Sequence, residues 1–360
     1  MSDIDADLPG HVERVLAGFL REAASPVRRV KPFAEAMQAL TGFVLGGGKR
    51  LRPTFAWWAW RGAGGAATGP RAAGALQAVA ALELIQACAL IHDDLMDDSD
   101  SRRGSPTVHV AFAKRHAEGG WHGESARFGL AASVLIGDVA LAWADDMFAS
   151  APLPAETLAA ARPAWRAMRT EVLAGQYLDV HTQACGDTSA EAAMWVNELK
   201  TAAYTVQRPL HIGAALAGAS DELIDALLSF GKDLGIAFQL RDDLLGVFGD
   251  PDVTGKPAGD DLREGKRTFL AARGLLRARE RGMTAAERAI GEAIGDTTMT
   301  EDRLAQVRTA LVEVGAVDDV EHRITELTDT ALASLRDAHL AEPAAGKLTE
   351  LAFAATKRDR

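Results

Sequence analysis

The stretch LIQACALIHDDLMDDSDSRRG, residues 84–104, decides how the rest of the chain is read. Its first half is mostly apolar at helical spacing, and it ends in Asp93, Asp94, Asp97, Asp98 and Asp100. Asp93 and Asp97 stand four apart, so both carboxylates lie on one helix face about one turn from each other. Like charges so placed repel, and the C-terminal end of a helix dipole disfavours anions. A cation must compensate. Paired carboxylates suit Mg²⁺, which binds one or two of them and fills its shell with water and phosphate oxygens. Arg102 and Arg103 follow, and guanidinium forks fit diphosphate oxygens. A solvated acidic loop is the alternative. The apolar run leading straight into the aspartates argues against it.

Further on, IAFQLRDDLLGVFGD (236–250) repeats the pattern: an apolar helix, then Asp242 and Asp243, with Asp250 beyond. It reads as a loose internal copy. Two such helices side by side would face their carboxylates across one cavity, where metal ions could clamp a diphosphate. Upstream lies GGGKRLRP, residues 46–53. Gly46 to Gly48 let backbone approach an anion closely. Lys49 and Arg52 are three apart on the turn that follows, at a helix N-terminus that itself attracts anions. The spacing is not that of an ATP-binding P-loop. A plain basic helix start is the alternative here.

Outward from these segments the apolar period stays helical, and alternating Val/Ile/Thr runs are scarce. The pattern predicts an all-α protein with no sheet. Expected helices cover 9–23, 31–45, 51–62, 70–97, 107–117, 126–149, 154–183, 188–206, 208–218, 221–248, 263–280, 285–296, 301–314 and 317–340. Thr188 or Ser189, Ser220 and Thr284 are expected caps. Those at 70–97, 126–149, 154–183 and 221–248 are long and apolar on most sides, as helices buried among helices are. No Pro/Ser/Gly-rich linker divides the chain, so one bundle over 1–360, with its core at about 30–340, is expected, with a central cavity between the long helices. Segment 118–125 reads as a mobile loop, 249–262 as a long polar loop of the kind that carries function, and TKRDR as a basic tail.

The chain has 360 residues, with 39 Lys and Arg against 50 Asp and Glu, a net charge of −11. No basic surface for a nucleic-acid backbone is implied. Two cysteines, Cys88 and Cys185, can form neither a disulfide framework nor a cysteine zinc site. The start, MSDIDADLPG, lacks the basic-then-apolar order of a secretory signal. No window gives the roughly 20 uninterrupted apolar residues of a membrane span; the best, 128–144, is broken by Gly137 and Asp138. The expectation is a cytoplasmic protein without a stable membrane anchor.

Together these segments resemble the trans-isoprenyl diphosphate synthases, or polyprenyl synthetases. The first resembles their DDxxD motif followed by RRG, the second their second aspartate motif, the third their GGKRxRP. Smaller signatures agree: Gly175, Gln176 and Asp179; Lys200 and Thr201; Phe238 and Gln239; Lys256 and Lys266. The likeness runs from about residue 30 to 340 and is closest to bacterial geranylgeranyl diphosphate synthases. It implies the isoprenoid synthase fold and three Mg²⁺ ions per active site. Asp93 and Asp97 would hold two and Asp242 the third, with Asp94, Asp243 and Asp179 behind them. Lys200, Lys256 and Arg102 would draw charge from the leaving diphosphate of an allylic substrate. Lys49, Arg52, Gln86 and Arg103 would hold isopentenyl diphosphate, and Lys266 would also touch substrate. Gln239 and Asp179 would orient metal waters, and Thr201 and Gln239 would offer oxygens to the allylic cation. A homodimer is implied as well.

The expected product is geranylgeranyl diphosphate (C20). Cys88 and Ala89, one turn before the first aspartates, are small where farnesyl-producing relatives carry aromatics, so the pocket floor would lie near Ile85 or Leu82. A longer product, C25 or more, or farnesyl diphosphate is the alternative. A class I terpene cyclase would need an Asn/Ser/Glu metal motif, which is not visible, and a regulatory subunit would tend to lose its aspartates. One departure stands out: Gly246 occupies the third place of the second DDxxD, with Asp243 or Asp250 as the expected compensation. Trp57, Trp58 and Trp60 are expected in the core or at a subunit contact, His92 in a structural role, and Cys185 as an inert buried thiol.

Overall fold

A computed structural model describes residues 3–102, 104–250 and 258–357. It is 78% helical with almost no sheet, as the periodicity predicts. In chain order the helices are α1 (Leu8–Ala23), α2 (Lys31–Leu45), α3 (Leu51–Gly62), α4 (Pro70–Ala80), α5 (Leu82–Met96), α6 (Val108–Glu118), α7 (Ser125–Ala149), α8 (Ala155–Cys185) and α9 (Ala190–Val196). A π-helical segment, Asn197–Gln207, comes next. Then follow α10 (Arg208–Ala217), α11 (Asp221–Phe248), α12 (Asp260–Arg263), α13 (Phe269–Glu280), α14 (Thr284–Ala293), α15 (Glu301–Glu313), α16 (Ala316–Asp337) and α17 (Ala344–Thr356).

Several expectations are corrected. The helix expected at 70–97 has a tightened turn at Ala81, where Leu84 N–H donates to Ala81 O three residues back. The helix expected at 188–206 changes to π geometry after Val196. A small sheet exists: β1 (Ser101–Arg102) pairs antiparallel with β2 (Ser105–Pro106), around a turn where Gly104 takes φ 72°. The helix expected to start at 263 starts at Phe269, capped by Thr268, whose Oγ1 accepts from Ala271 N. Ser189 and Ser220 cap as expected. Thr284 does not; Met283 holds that place without a side-chain bond. Helix α17 was not anticipated. It buries Ala344, Leu348, Ala352 and Ala355 along one face.

Loop 119–124 is packed rather than loose. His116 Nε2 lies 3.0 Å from His122 O, and the Trp121 ring meets Phe128 edge-on. Two helices are long and apolar enough to cross a membrane by length and composition alone, Pro70–Met96 and Ser125–Ala149, although charged residues interrupt both. The first is 78% buried over its most apolar window, which marks a core helix; the second is only 33% buried.

The chain packs as two compact units, each drawn from three stretches. The first comprises Met1–Arg166, Pro209–Ile224 and Leu340–Ala345; the second Ala167–Arg208, Asp225–His339 and Gly346–Arg360. The first unit's core holds Trp57, Trp58 and Trp60, all buried as expected, with Phe55, Leu82, Leu84 and Ile91. Leu270, Ile290, Leu304, Val307 and Val320 centre the second. Apolar helix faces buried in this way supply the main stabilisation.

Candidate diphosphate and metal site

In the first unit, α5 carries the first aspartates. Asp97 N–H donates to Asp93 O, so the helical turn reaches Asp97 and stacks the two carboxylates. Asp98 then turns the chain at φ 52°. Strand β1 brings Arg102 back, and its Nε and Nη2 lie 2.7 and 2.6 Å from Asp94 Oδ1. Arg102 Nη2 is also 3.6 Å from Asp93 Oδ2. Asp94 is buried, while Asp93 and Asp97 are half-buried. Asp94 therefore works as an inner anchor whose charge Arg102 offsets. Asp93 and Asp97 stay partly accessible.

The GGGKR loop enters α3 through Gly47 and Gly48 at φ 101° and 126°, followed by Arg50 at φ 49°. Positive φ at the two glycines needs no side-chain accommodation. Arg50 is held there by a buried ion pair that sequence reading missed: its Nη1 is 2.6 Å from Glu83 Oε2. Glu83 is the one charged residue in the first, mostly apolar half of α5, residues 82–91, and that is the signal that could have found it. Lys49 is exposed, and Arg52 and Gln86 are half-buried.

Ala89 lies four before Asp93 on the same face of α5. Cys88 instead shares a face with His92, its Sγ 3.7 Å from His92 Nδ1. Burial pushes the Cys88 thiol up to about 12. His92 fills the seam to α7, with Nε2 3.3 Å from Val134 O, and a Cβ on Gly137 would collide with it. His92 is thus structural, as expected. Cys185, expected to be buried, is exposed because it closes α8 on the solvent side.

In the second unit, close backbone approaches organise the site. A Cβ at Gly175 on α8 would collide with the backbone of Lys200, and one at Gly235 on α11 would lie 2.5 Å from Ala202 Cα. The π segment therefore touches both helices through glycine. This contact lets Lys200 Nζ reach Asp179 Oδ2 at 2.6 Å, while Gln183 Nε2 donates to Asp179 Oδ1. Thr201 Oγ1 donates to Gln239 Oε1 at 2.6 Å, rather than to its own helix backbone. Gln239 Nε2 donates on to Asp243 Oδ1 at 2.8 Å.

Asp243 is buried, and burial raises its carboxyl to about 7; the Gln239 bond opposes this, neighbouring Asp261 and Asp242 add to it, and a hydrogen bond from the Phe269 backbone lowers it again. Asp242, next to it, is half-buried. Arg241 braces this end of α11, bonding both Glu321 oxygens at 2.7 and 2.6 Å and donating from Nε to Thr356 O. Lys266 Nζ pairs with Glu264 at 2.6 Å and lies 3.6 Å from Asp261 Oδ1. Arg103 and Lys256 lie outside the described residues.

Among the described residues no three His, Cys, Asp or Glu side chains gather into a closed metal cage. Mg²⁺ does not use one: it takes one or two carboxylates and completes its octahedron from water and phosphate. The donors present in the two aspartate motifs are carboxylate oxygens, the donor type this hard cation prefers. The residues fit that ion.

Residues 33–311 match the family described as polyprenyl synthetase. The chain is 34% identical over 286 residues to a geranylfarnesyl diphosphate synthase of Aeropyrum pernix, covering 78% of this chain and 80% of that one. It is 34% identical to a (2E,6E)-farnesyl diphosphate synthase of Mycobacterium tuberculosis, covering 74% and 67%. Its fold superposes with TM-score 0.94 and 46% identity, over 100% of both chains, on a geranylgeranyl pyrophosphate synthase from Corynebacterium glutamicum complexed with isoprenyl diphosphate and magnesium.

Proposed function

Because this chain belongs to the polyprenyl synthetase family, and is accordingly a prenyltransferase that makes trans-prenyl diphosphates, we propose that it joins isopentenyl diphosphate to allylic diphosphates up to geranylgeranyl diphosphate. One observation carries the reading of the site. In both aspartate motifs the second carboxylate is buried, Asp94 against Arg102 and Asp243 against Gln239, while the first stays half-buried. The same device occurs twice, and each copy leaves Asp93 or Asp242 partly accessible.

Asp93, Asp97 and Asp242 hold Mg²⁺, in a set of three ions. When bound, the ions neutralise the allylic diphosphate and stabilise the pyrophosphate leaving group. Lys200, steadied by Asp179, adds positive charge to that group, as do Arg102 and Lys256. Lys49, Arg52, Gln86 and Arg103 hold the second substrate's diphosphate, and Lys266 supports substrate binding. Thr201 spends its hydroxyl proton on Gln239, so what it offers an allylic cation is lone pairs. The departing pyrophosphate takes the final proton. Fixed charges and excluded water do the catalytic work, since water would quench the cation.

Ile85, Cys88 and Ala89 set the depth available to the growing tail. The comparisons name relatives of several chain lengths, and the small side chains at 88 and 89 favour a product longer than farnesyl. We also propose a cytoplasmic homodimer. The free thiols support the compartment, and the exposed Leu130, Val134 and Leu135 on α7 support a second copy as the cover. Asp138, on the same helix and 62% exposed, is unsuited to lipid. Purified protein with Mg²⁺, isopentenyl diphosphate and labelled farnesyl diphosphate should give a C20 diphosphate by chromatography. A cyclic hydrocarbon, or no elongation, would overturn the reading.

A further inference from the structure

The GGGKR loop is tied to α5 by a charge pair that stability alone does not explain. Arg50 and Glu83 are each 4% exposed, and they meet at 2.6 Å through Nη1 and Oε2. Arg50 Nη2 also reaches Glu13 Oε1 on α1 at 3.3 Å. The pairing is incomplete, since Arg50 Nε and Glu83 Oε1 are buried with no hydrogen-bond partner. Desolvating two charges offsets much of their attraction, and unmade hydrogen bonds add to the cost. Arg50 also takes φ 49°, a left-handed conformation that is strained for a residue with a side chain. Its carbonyl then opens α3, accepting from Thr54 N at 3.1 Å and from Thr54 Oγ1 at 2.7 Å. A costly backbone conformation and a costly buried charge coincide in one residue, so what the pair supplies is geometry.

The residues whose geometry it sets stand on either side. Lys49 precedes Arg50, and Arg52 follows two later. On α5, Gln86 lies three after Glu83, one turn along the same face. Gly47 and Gly48, at φ 101° and 126°, leave the loop without side-chain restraint just upstream. The Arg50–Glu83 bond therefore joins the segment that bears Lys49 and Arg52 to the helix that bears Gln86. Lys49 is exposed and Arg52 and Gln86 are half-buried, so all three stay accessible while the tie between their elements does not.

We propose that Arg50 and Glu83 are positioning residues for the second substrate's diphosphate: the pair sets the spacing of Lys49 and Arg52 against Gln86. This rests on the reading of those three residues as the isopentenyl diphosphate subsite. It adds that affinity for this substrate depends on two buried residues that do not touch it.

The test separates positioning from stability. Arg50→Met with Glu83→Leu replaces the pair by apolar side chains, an exchange that is often neutral or stabilising at a buried pair. The double variant should melt no lower than wild type. Its KM for isopentenyl diphosphate should nonetheless rise by about 10- to 100-fold, the scale on which an ångström of misplacement acts. Its kcat and its KM for farnesyl diphosphate should stay near wild type, the pattern of binding lost equally from ground and transition states. A normal melting temperature with an unchanged KM for isopentenyl diphosphate would make the pair structural only and reject the proposal. An equal rise in both KM values would place the disturbance in α5 as a whole and reject it too. Should the double variant not fold, Arg50→Lys decides. It keeps the charge but cannot fork to Glu83 and Glu13 together, so a smaller rise in the same KM alone is expected, and no rise overturns the proposal. Arg52→Ala is the control for the subsite. If it leaves the KM for isopentenyl diphosphate unchanged, the subsite reading fails; if it raises that KM while the pair variants do not, only the positioning role fails.

Discussion

At the scale of single residues, charge was legible and its partners were not. Aspartates at the ends of apolar runs, and lysines after glycines, announce themselves by type and spacing. The Arg50–Glu83 pair and the Arg241 brace depend on tertiary approach, which a linear pattern does not encode. The same distinction separates the aspartates by role. Asp93→Ala and Asp242→Ala remove the more accessible carboxylate of each pair and should lower turnover at saturating Mg²⁺ by orders of magnitude. Initial rates with a normal melting temperature would check this, and near-normal rates would reject the assignment. Position also divides the two residues expected to set product length. Ala89 shares the face of Asp93, whereas Cys88 packs toward His92 and α7. Ala89→Phe should therefore shorten the product toward farnesyl diphosphate more than Cys88→Phe does, as read by chain-length chromatography. Unchanged products in both variants would mean that the tail does not pass this face.

At the scale of elements, the 3.6-residue period located most helices to within a few residues, because large apolar side chains mark a buried stripe. It failed on α17, whose buried face is built mainly from alanine around Leu348, a weak contrast with its surroundings. It could not show the π segment either, since nothing in the residue types of 197–207 distinguishes it from an α-helix; the glycine contacts at 175 and 235 accompany it. Packing between elements also uses charge. Asp319, in the first turn of α16, accepts from Arg277 Nε and Nη2 at 2.8 Å on α13, and from Arg273. The Arg277 hydrogen bonds, with Arg273, hold the Asp319 carboxyl down at about 2 against an ordinary 3.8. A depressed carboxylate stabilises the fold above its unfolded value and loses that contribution as pH falls through the folded one. Asp319→Asn should thus lower the melting temperature at pH 7. The difference from wild type should shrink between about pH 4 and pH 2 in paired thermal scans. A pH-independent difference would show that the carboxylate's charge is not what joins these helices.

At the scale of the whole molecule, α7 is not explained by the packing of its own unit alone. One side of α7 meets α5 and α6, with Gly129 and Gly137 allowing close approach, yet its most apolar window is only 33% buried. Leu130 and Leu135 are 50% and 62% exposed, with Val134 beside them. A soluble monomer rarely presents such a contiguous apolar strip, and a twofold axis would let each strip cover its counterpart. Fully burying a leucine contributes about 1.5–3 kcal/mol, so several half-exposed residues per copy, counted twice by symmetry, give a substantial share of an association energy. A glutamate at the centre of that strip would have to be desolvated without a partner. Wild-type protein should therefore scatter light as a dimer at micromolar concentration, and Leu135→Glu should shift it to the monomer mass while α5 and its aspartates keep their place. Linkage supplies an independent check: the wild-type melting temperature should rise with protein concentration, because association favours the folded state, and that of Leu135→Glu should not. A wild-type monomer under these conditions would leave the α7 strip to some other cover and remove the dimer from the account.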